Sequence, residues 1–160
     1  MPRPRRVPPR PCACTTVRTA SRLLARAYDA ALQETELNVT QLAVLRAVER
    51  APGEPLSQVA GQLSMDRTSM YRSVGTMQDH GWLRLSEGRD ARSRCAALTA
   101  RGREILEDAA PHWESIQGAV VDRFGRRRWS QLVEELRALG EVVDGLGEEG
   151  RGDRSTRGAR

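Results

Sequence analysis

Between Ser57 and Gly81 two short helical patterns follow one another with only Ser64-Met65 between them. Ser57 reads as the cap of the first, with Val59, Ala60 and Leu63 inward, and Asp66 as the cap of the second. In the second, Met70, Val74 and Met77 recur at four- and three-residue steps on one face, and Gly81 after His80 stands where helices commonly end in glycine. Two short helices joined by a tight turn read as a helix-turn-helix. Immediately afterwards Trp82-Leu83-Arg84-Leu85 alternates as a strand, Glu87 to Arg94 forms a charged turn, and Cys95 to Leu98 can return as a second strand. The pattern predicts a wing.

The flanks are helical. Val17, Ala20, Leu24, Ala27, Tyr28 and Ala31 predict an amphipathic helix over about 15–33. Thr40 is the expected cap of the next, which carries Leu42, Leu45 and Val48 until Pro52-Gly53 stops it. Thr99 is expected to cap a long helix with Ile105, Leu106, Ala109, Trp113, Ile116, Val120 and Phe124, bent at Pro111. A last helix carries Leu132, Leu136, Leu139, Val143 and Leu146. The expected fold is mainly α with a small β-hairpin wing, the winged part spanning about 40–98. Helices over about 15–33 and 99–146 have apolar faces broader than so small a core can cover, and these predict a dimerisation layer. Residues 1–11 hold five prolines and four arginines and 147–160 no Leu, Ile or Val, so both are expected to be disordered tails around a folded unit over 12–146.

At 160 residues the chain suits one ordinary domain. Aromatics are only 4% of it, so the core must be Leu, Val and Ala, as in helices packed on helices. All 26 basic residues are arginine, and the formal charge is +5. Guanidinium groups fork onto phosphate and guanine edges, although GC-rich codon usage alone gives the same absence of lysine. No apolar run is long enough for a membrane span or a secretion signal, which predicts a cytoplasmic protein. Three cysteines, Cys12, Cys14 and Cys95, argue for free thiols over a disulfide framework.

On the helix opened by Asp66, the residues Arg67, Thr68, Tyr71 and Arg72, with Ser69 beside them, are expected on the side away from Met70, Val74 and Met77. They place two guanidinium forks, hydroxyls and a phenol on the helical half that reaches base edges. Taken alone, the same face is equally what a solvated helix presents. The hairpin tip adds Arg89, Arg92 and Arg94 within six residues, a crowding that a polyanion relieves, and Asp90 can pair with Arg92.

With these segments in view, the sequence resembles the multiple-antibiotic-resistance regulator (MarR) family over about residues 14–146. The resemblance is carried by Leu63-Ser64-Met65-Asp66-Arg67-Thr68-Ser69-Met70-Tyr71-Arg72, then Asp79-His80-Gly81-Trp82-Leu83, Gly88-Arg89-Asp90-Ala91-Arg92 and Leu98-Thr99-Ala100-Arg101-Gly102. It implies a homodimeric transcriptional repressor that places two winged domains in successive major grooves of pseudo-palindromic double-stranded DNA. By matching position Asp90 and Arg92 are the wing pair, with Arg92 in the minor groove. A small aromatic effector between the dimer layer and the winged domain would release the operator.

Cys14, fourteen residues before Tyr28, also resembles the hydroperoxide-sensing branch of that family, whose reactive cysteine is held by a tyrosine. Arg18 stands where the branch has its other tyrosine. A helix start favours thiolate, the form that oxidises, while two inert small residues would look the same. Cys95 reads as a packing residue. Cys12-Ala13-Cys14 is too closely spaced for a zinc knuckle, and neither His80 nor His112 has a ligand pattern or a nucleophile around it. No metal, cofactor or catalytic role is expected. A winged helix serving only as a protein-interaction module is the remaining alternative.

Overall fold

The computed structural model describes residues 11–88 and 93–157, the last of these, from 147, as helical backbone only. The elements run α1 (Ala13–Ala31), α2 (Val39–Arg50), α3 (Leu56–Gln62), α4 (Arg67–Asp79), β1 (Leu83–Glu87), β2 (Arg94–Leu98), α5 (Ala100–Phe124) and α6 (Arg126–Arg157). They fall into two compact units, one up to Ile116 and one from Gln117. This is the expected mainly α chain with a single hairpin.

In the first unit the core is assembled from α2, α3, α4 and the hairpin. Leu42, Val44, Leu45, Val48, Leu56, Val59, Met70, Val74, Met77 and Trp82 are all buried, with Leu106 and Ala109 of α5 joining them. Each fully buried Leu or Met side chain contributes about 1.5–3 kcal/mol of transfer free energy. These residues therefore fix where α4 sits and which of its faces is left outside.

Two turns set the ends of the helix-turn-helix. At the end of α3 the Met65 amide donates to the Ala60 carbonyl at 2.8 Å and the Ser64 amide to that of Gly61 at 3.0 Å. Ser64 is left-handed, φ 49. At the end of α4 the Trp82 amide donates to the Met77 carbonyl and the Gly81 amide to that of Gln78, both at 2.9 Å, with Gly81 at φ 73. Both are Schellman closures, which satisfy the last carbonyls of a helix with a left-handed residue just past it. Glycine meets this requirement at no steric cost, and serine bears a small one.

The starts of α2 and α3 differ from expectation. Asn38 caps α2, its side chain accepting from the Gln41 amide at 2.9 Å while the Gln41 side chain accepts from the Asn38 amide at 3.0 Å. This reciprocal box satisfies two end donors where Thr40, already inside the helix, would satisfy one. Asp29 of α1 adds a third, accepting from the Val39 amide at 2.8 Å. Pro55, not Ser57, caps α3, and proline suits a helix start because it brings no further amide to satisfy.

The hairpin is antiparallel, with Leu83 opposite Leu98, Leu85 opposite Ala96 and Glu87 opposite Arg94. Cys95 is buried and forms an isolated bridge with Pro55. Where α5 begins, Gly102 lies so close to the Trp82 carbonyl that any Cβ there would collide with it. Glu36, between α1 and α2, contacts His80 Nδ1 at 3.7 Å and Arg101 at 3.4 Å, and His80 stacks on Trp82 with ring centroids 4.4 Å apart. From α2, Arg46 lies over the Trp113 ring at 4.0 Å.

Helix α5 runs continuously from Ala100 to Phe124 with Pro111 inside it. In the second unit α6 runs on past Leu146, the expected end of the folded unit, to Arg157. The glycines there weaken a helix, yet each keeps its amide donor and so does not break the hydrogen-bond ladder as proline would. Leu136, Leu139, Val142, Val143 and Leu146 of α6 are exposed; so, within the first unit, are Val17, Leu23 and Leu24 of α1.

Candidate nucleic-acid interface

Helix α4 begins at Asp66, whose carboxylate accepts from the Ser69 amide at 2.9 Å. That side-chain and backbone hydrogen bonding to Ser69 lowers the Asp66 pKa and keeps the cap ionised. With about 100° between successive residues, burying Met70, Val74 and Met77 turns Thr68, Arg72, Gly75 and Thr76 outward. Thr68, Arg72 and Thr76 are exposed, and a Cβ on Gly75 would touch nothing within the chain.

The expected arc of Arg67, Thr68, Tyr71 and Arg72 is therefore divided. Arg67 and Tyr71 share one shoulder, the guanidinium 5.5 Å from the ring centroid. Tyr71 is half-buried and packs on the core, so its ring is not fully on the outer face as expected. Its position follows from spacing: it adjoins Met70 and Val74 and shares their side of the helix. Arg72 leaves on the other shoulder, and no carboxylate pairs with it among the described residues. Ser69 is exposed. Sequence reasoning passed over Gly75 and Thr76, although Gly75 stands seven residues from Thr68 and three from Arg72, and Thr76 eight and four, so that the same periodicity places them.

In the wing, Arg94 is exposed at the start of β2 opposite Glu87, and Gly88 closes the described part of the hairpin by donating its amide to the Ser93 carbonyl at 2.8 Å. Arg89, Asp90 and Arg92 lie outside the described residues. The motif Leu98-Thr99-Ala100-Arg101-Gly102 has a structural explanation. Thr99 Oγ1 donates to the Gly81 carbonyl at 2.6 Å, lies 3.2 Å from that of Trp82, and accepts from the Gly102 amide at 3.0 Å. One hydroxyl thus fastens the root of the wing to the start of α5.

At the other end of α1, Cys12 is the N-cap and Cys14 lies in the first turn; both are exposed. The Cys12 sulfur closes no geometric cap bond, but the nearby Thr15 amide and hydroxyl hold its pKa below the ordinary thiol value. Tyr28 is buried, and burial raises its pKa. Cys14 and Tyr28 lie on one continuous helix at a separation of about 21 Å along its axis, so the two cannot bond within one chain. Among the described residues no group of histidines, cysteines and carboxylates could hold a metal ion, and no helix is long and apolar enough to cross a membrane.

A capped α4 with its polar face outward, following a tight turn from α3 and preceding a two-stranded hairpin, defines a winged helix-turn-helix module. The sequence pattern of the IclR helix-turn-helix domain matches residues 41–87, from α2 to the end of β1. The chain is 32% identical to the Mycobacterium tuberculosis transcriptional regulator MosR, solved in complex with DNA, covering 84% of this chain and 98% of that one with a TM-score of 0.76.

 A MarR family regulator from Rhodococcus sp. RHA1 is 19% identical, covering 79% of this chain and 92% of that one with a TM-score of 0.67. The BpsR regulator of Bordetella bronchiseptica, solved to explain how 6-hydroxynicotinic acid regulates its DNA binding, is 19% identical, covering 81% and 94% with a TM-score of 0.73. At that identity the last two show the fold alone. No curated protein sequence matches the chain. The chain belongs to the winged helix-turn-helix transcriptional regulators.

Proposed function

We propose that this regulator is a member of the MarR family that binds a pseudo-palindromic operator as a homodimer and represses transcription from the cytoplasm, without catalytic activity. The observation that carries the reading is the outward face of α4, where Thr68 and Arg72 are exposed ahead of a hairpin wing, in a chain 32% identical to a regulator solved with DNA. In this reading α4 enters the major groove, with Arg67, Thr68, Ser69 and Arg72 toward base edges and backbone and Tyr71 as a half-buried support. Arg89, Arg92 and Arg94 of the wing face the adjacent minor groove and phosphates, with Asp90 holding Arg92. The exposed apolar residues of α1, and separately those of α6, are what a second copy would cover.

Titration of Arg72→Ala and Arg92→Ala on a selected operator and on random duplex, at two salt concentrations, tests the assignment. Arg72→Ala is expected to cost about 1–3 kcal/mol on the operator and far less on random DNA. Arg92→Ala is expected to weaken both and make the salt slope shallower by about one. Near-parental affinity for both variants would leave only the protein-interaction module. Light scattering tests the dimer, which a monomer at micromolar concentration would overturn.

Release by a small aromatic effector follows the same family reading and is supported by the ligand named for BpsR. A thiol switch is the second reading, favoured by the exposure of Cys12 and Cys14 and the lowered pKa of Cys12. A bond from Cys14 to Tyr28 would then have to form between copies. Peroxide-induced release that survives in both Cys12→Ser and Cys14→Ser would exclude this reading.

A further inference from the structure

The inward side of the Arg72 shoulder is a cleft of about 440 Å³ between α4, the N-terminal turn of α2 and the end of α1. Its walls carry the hydroxyls of Thr40 from α2 and of Ser69, Ser73 and Thr76 from α4, the last of which donates to the Arg72 carbonyl at 3.2 Å, with Arg72 as the cation. We propose that this cleft seats a phosphate of the DNA backbone beside the major groove that α4 enters. The proposal rests on the DNA-binding reading above and assigns to that reading a contact outside the base-facing surface.

Three observations lead to it. A helix with its side chains is about 10–12 Å across and the major groove about 12 Å wide, so whatever lies along the flank of an inserted helix meets a sugar-phosphate strand. The cleft lies along that flank of α4. Second, Ser and Thr hydroxyls and arginine are among the groups that take phosphate oxygens and fix the register of a protein on the duplex. Third, the cleft's other polar groups are committed elsewhere. Asp29 accepts from the Val39 amide, and Asn38 and Gln41 cap one another. Because Asn38 performs the capping, the Thr40 hydroxyl, exposed in the first turn of α2, is not needed to cap the helix. The side chains, and not the capped end of α2, supply the donors.

Arg72 belongs both to the outward face and to the cleft, so the hydroxyls provide the cleaner test. Thr40→Val, Ser73→Ala and the double variant are titrated against operator and random duplex, with Thr40→Ser and Ser73→Thr as variants that keep the hydroxyl. Thermal melts accompany each. The double variant is expected to lose about ten- to hundredfold in affinity on both DNAs alike, as for hydrogen bonds to a charged group, while the ratio between them holds. The hydroxyl-keeping variants are expected to recover most of the loss. Duplexes carrying one neutral methylphosphonate per half-site locate the contact: one position weakens the parent and has no further effect on the double variant.

Parental affinity in a folded double variant overturns the proposal. So does a loss confined to the operator, which would make these residues base readers, or unchanged DNA affinity with a lost response to an aromatic carboxylate, which would make the cleft an effector site. A parent that binds no duplex at all overturns the DNA-binding reading itself, an outcome distinct from the failure of this cleft.

Discussion

The Thr99 hydroxyl donates to the Gly81 carbonyl at 2.6 Å, joining the glycine just past α4 to the residue that caps α5. The same oxygen accepts from the Gly102 amide, so the end of one helix and the beginning of another share a single atom. The position of α4 is therefore set partly from outside the helix-turn-helix.

Thr99→Val keeps the shape and removes both bonds. It is expected to destabilise the chain by about 1–3 kcal/mol, since a cap is lost and the Gly81 carbonyl loses a partner. Denaturant unfolding with an unchanged m-value measures it. A change below about 0.5 kcal/mol, the usual effect of a surface substitution, would show that the clamp adds nothing.

Gly75 has room for a side chain and lies within a helix of ordinary φ. Gly75→Ala is expected to raise stability by about 0.5–1 kcal/mol through helix propensity while lowering operator affinity, because the added methyl stands on the face proposed to approach DNA. Thermal unfolding and a binding titration on one preparation check both. An unchanged affinity would move the DNA approach away from the middle of α4.

Asp66 supplies a pH signature. Its pKa is lowered in the folded chain by the bonds to Ser69, so its stabilising contribution is fully present above the ordinary aspartate value and lost as pH falls through the lowered one. The stability difference between the parent and Asp66→Asn is expected to be constant near neutrality and to shrink in that acidic window. A difference that grows on acidification would contradict the assignment.

Cys12 differs from Cys95 in environment. The lowered pKa of Cys12 means a larger thiolate fraction at any given pH below it, and the sulfur is exposed, whereas Cys95 is buried in the hairpin. Under mild iodoacetamide at neutral pH, peptide mass mapping is expected to find Cys12 alkylated well before Cys95. Equal rates would remove the thiolate argument for a redox role.

Much of this arrangement is local and was legible in the sequence. Asp66 with Met70, Val74, Met77 and Gly81 writes α4 from cap to terminator, and Thr99 is visible as the cap of α5, because each signal is complete within about a turn or two of chain. The N-terminus of α2 was misread at Thr40 although Asn38 and Gln41 stand at capping-box spacing; several capping residues in a row make the first hydrogen bond ambiguous. Pro55 hid as a cap because it works through its fixed φ and not through a side-chain acceptor. Other features are tertiary and have no local signature. Asp29 reaches an amide ten residues ahead on another helix, and Tyr71 turns toward a core whose position depends on α2, α3 and the hairpin. The cleft beside Arg72 required three helices to be in place before its hydroxyls converged.

Pro55 bridges Cys95, near the turn end of β2, and also opens α3. An exposed strand edge invites another chain to pair with it, and proline, lacking an amide hydrogen, is a poor template for such pairing. On the β2 side the sheet thus ends at a residue ill-suited to extend it, and the chain turns at once into a helix. That edge is thereby protected against edge-to-edge pairing with another copy of the chain.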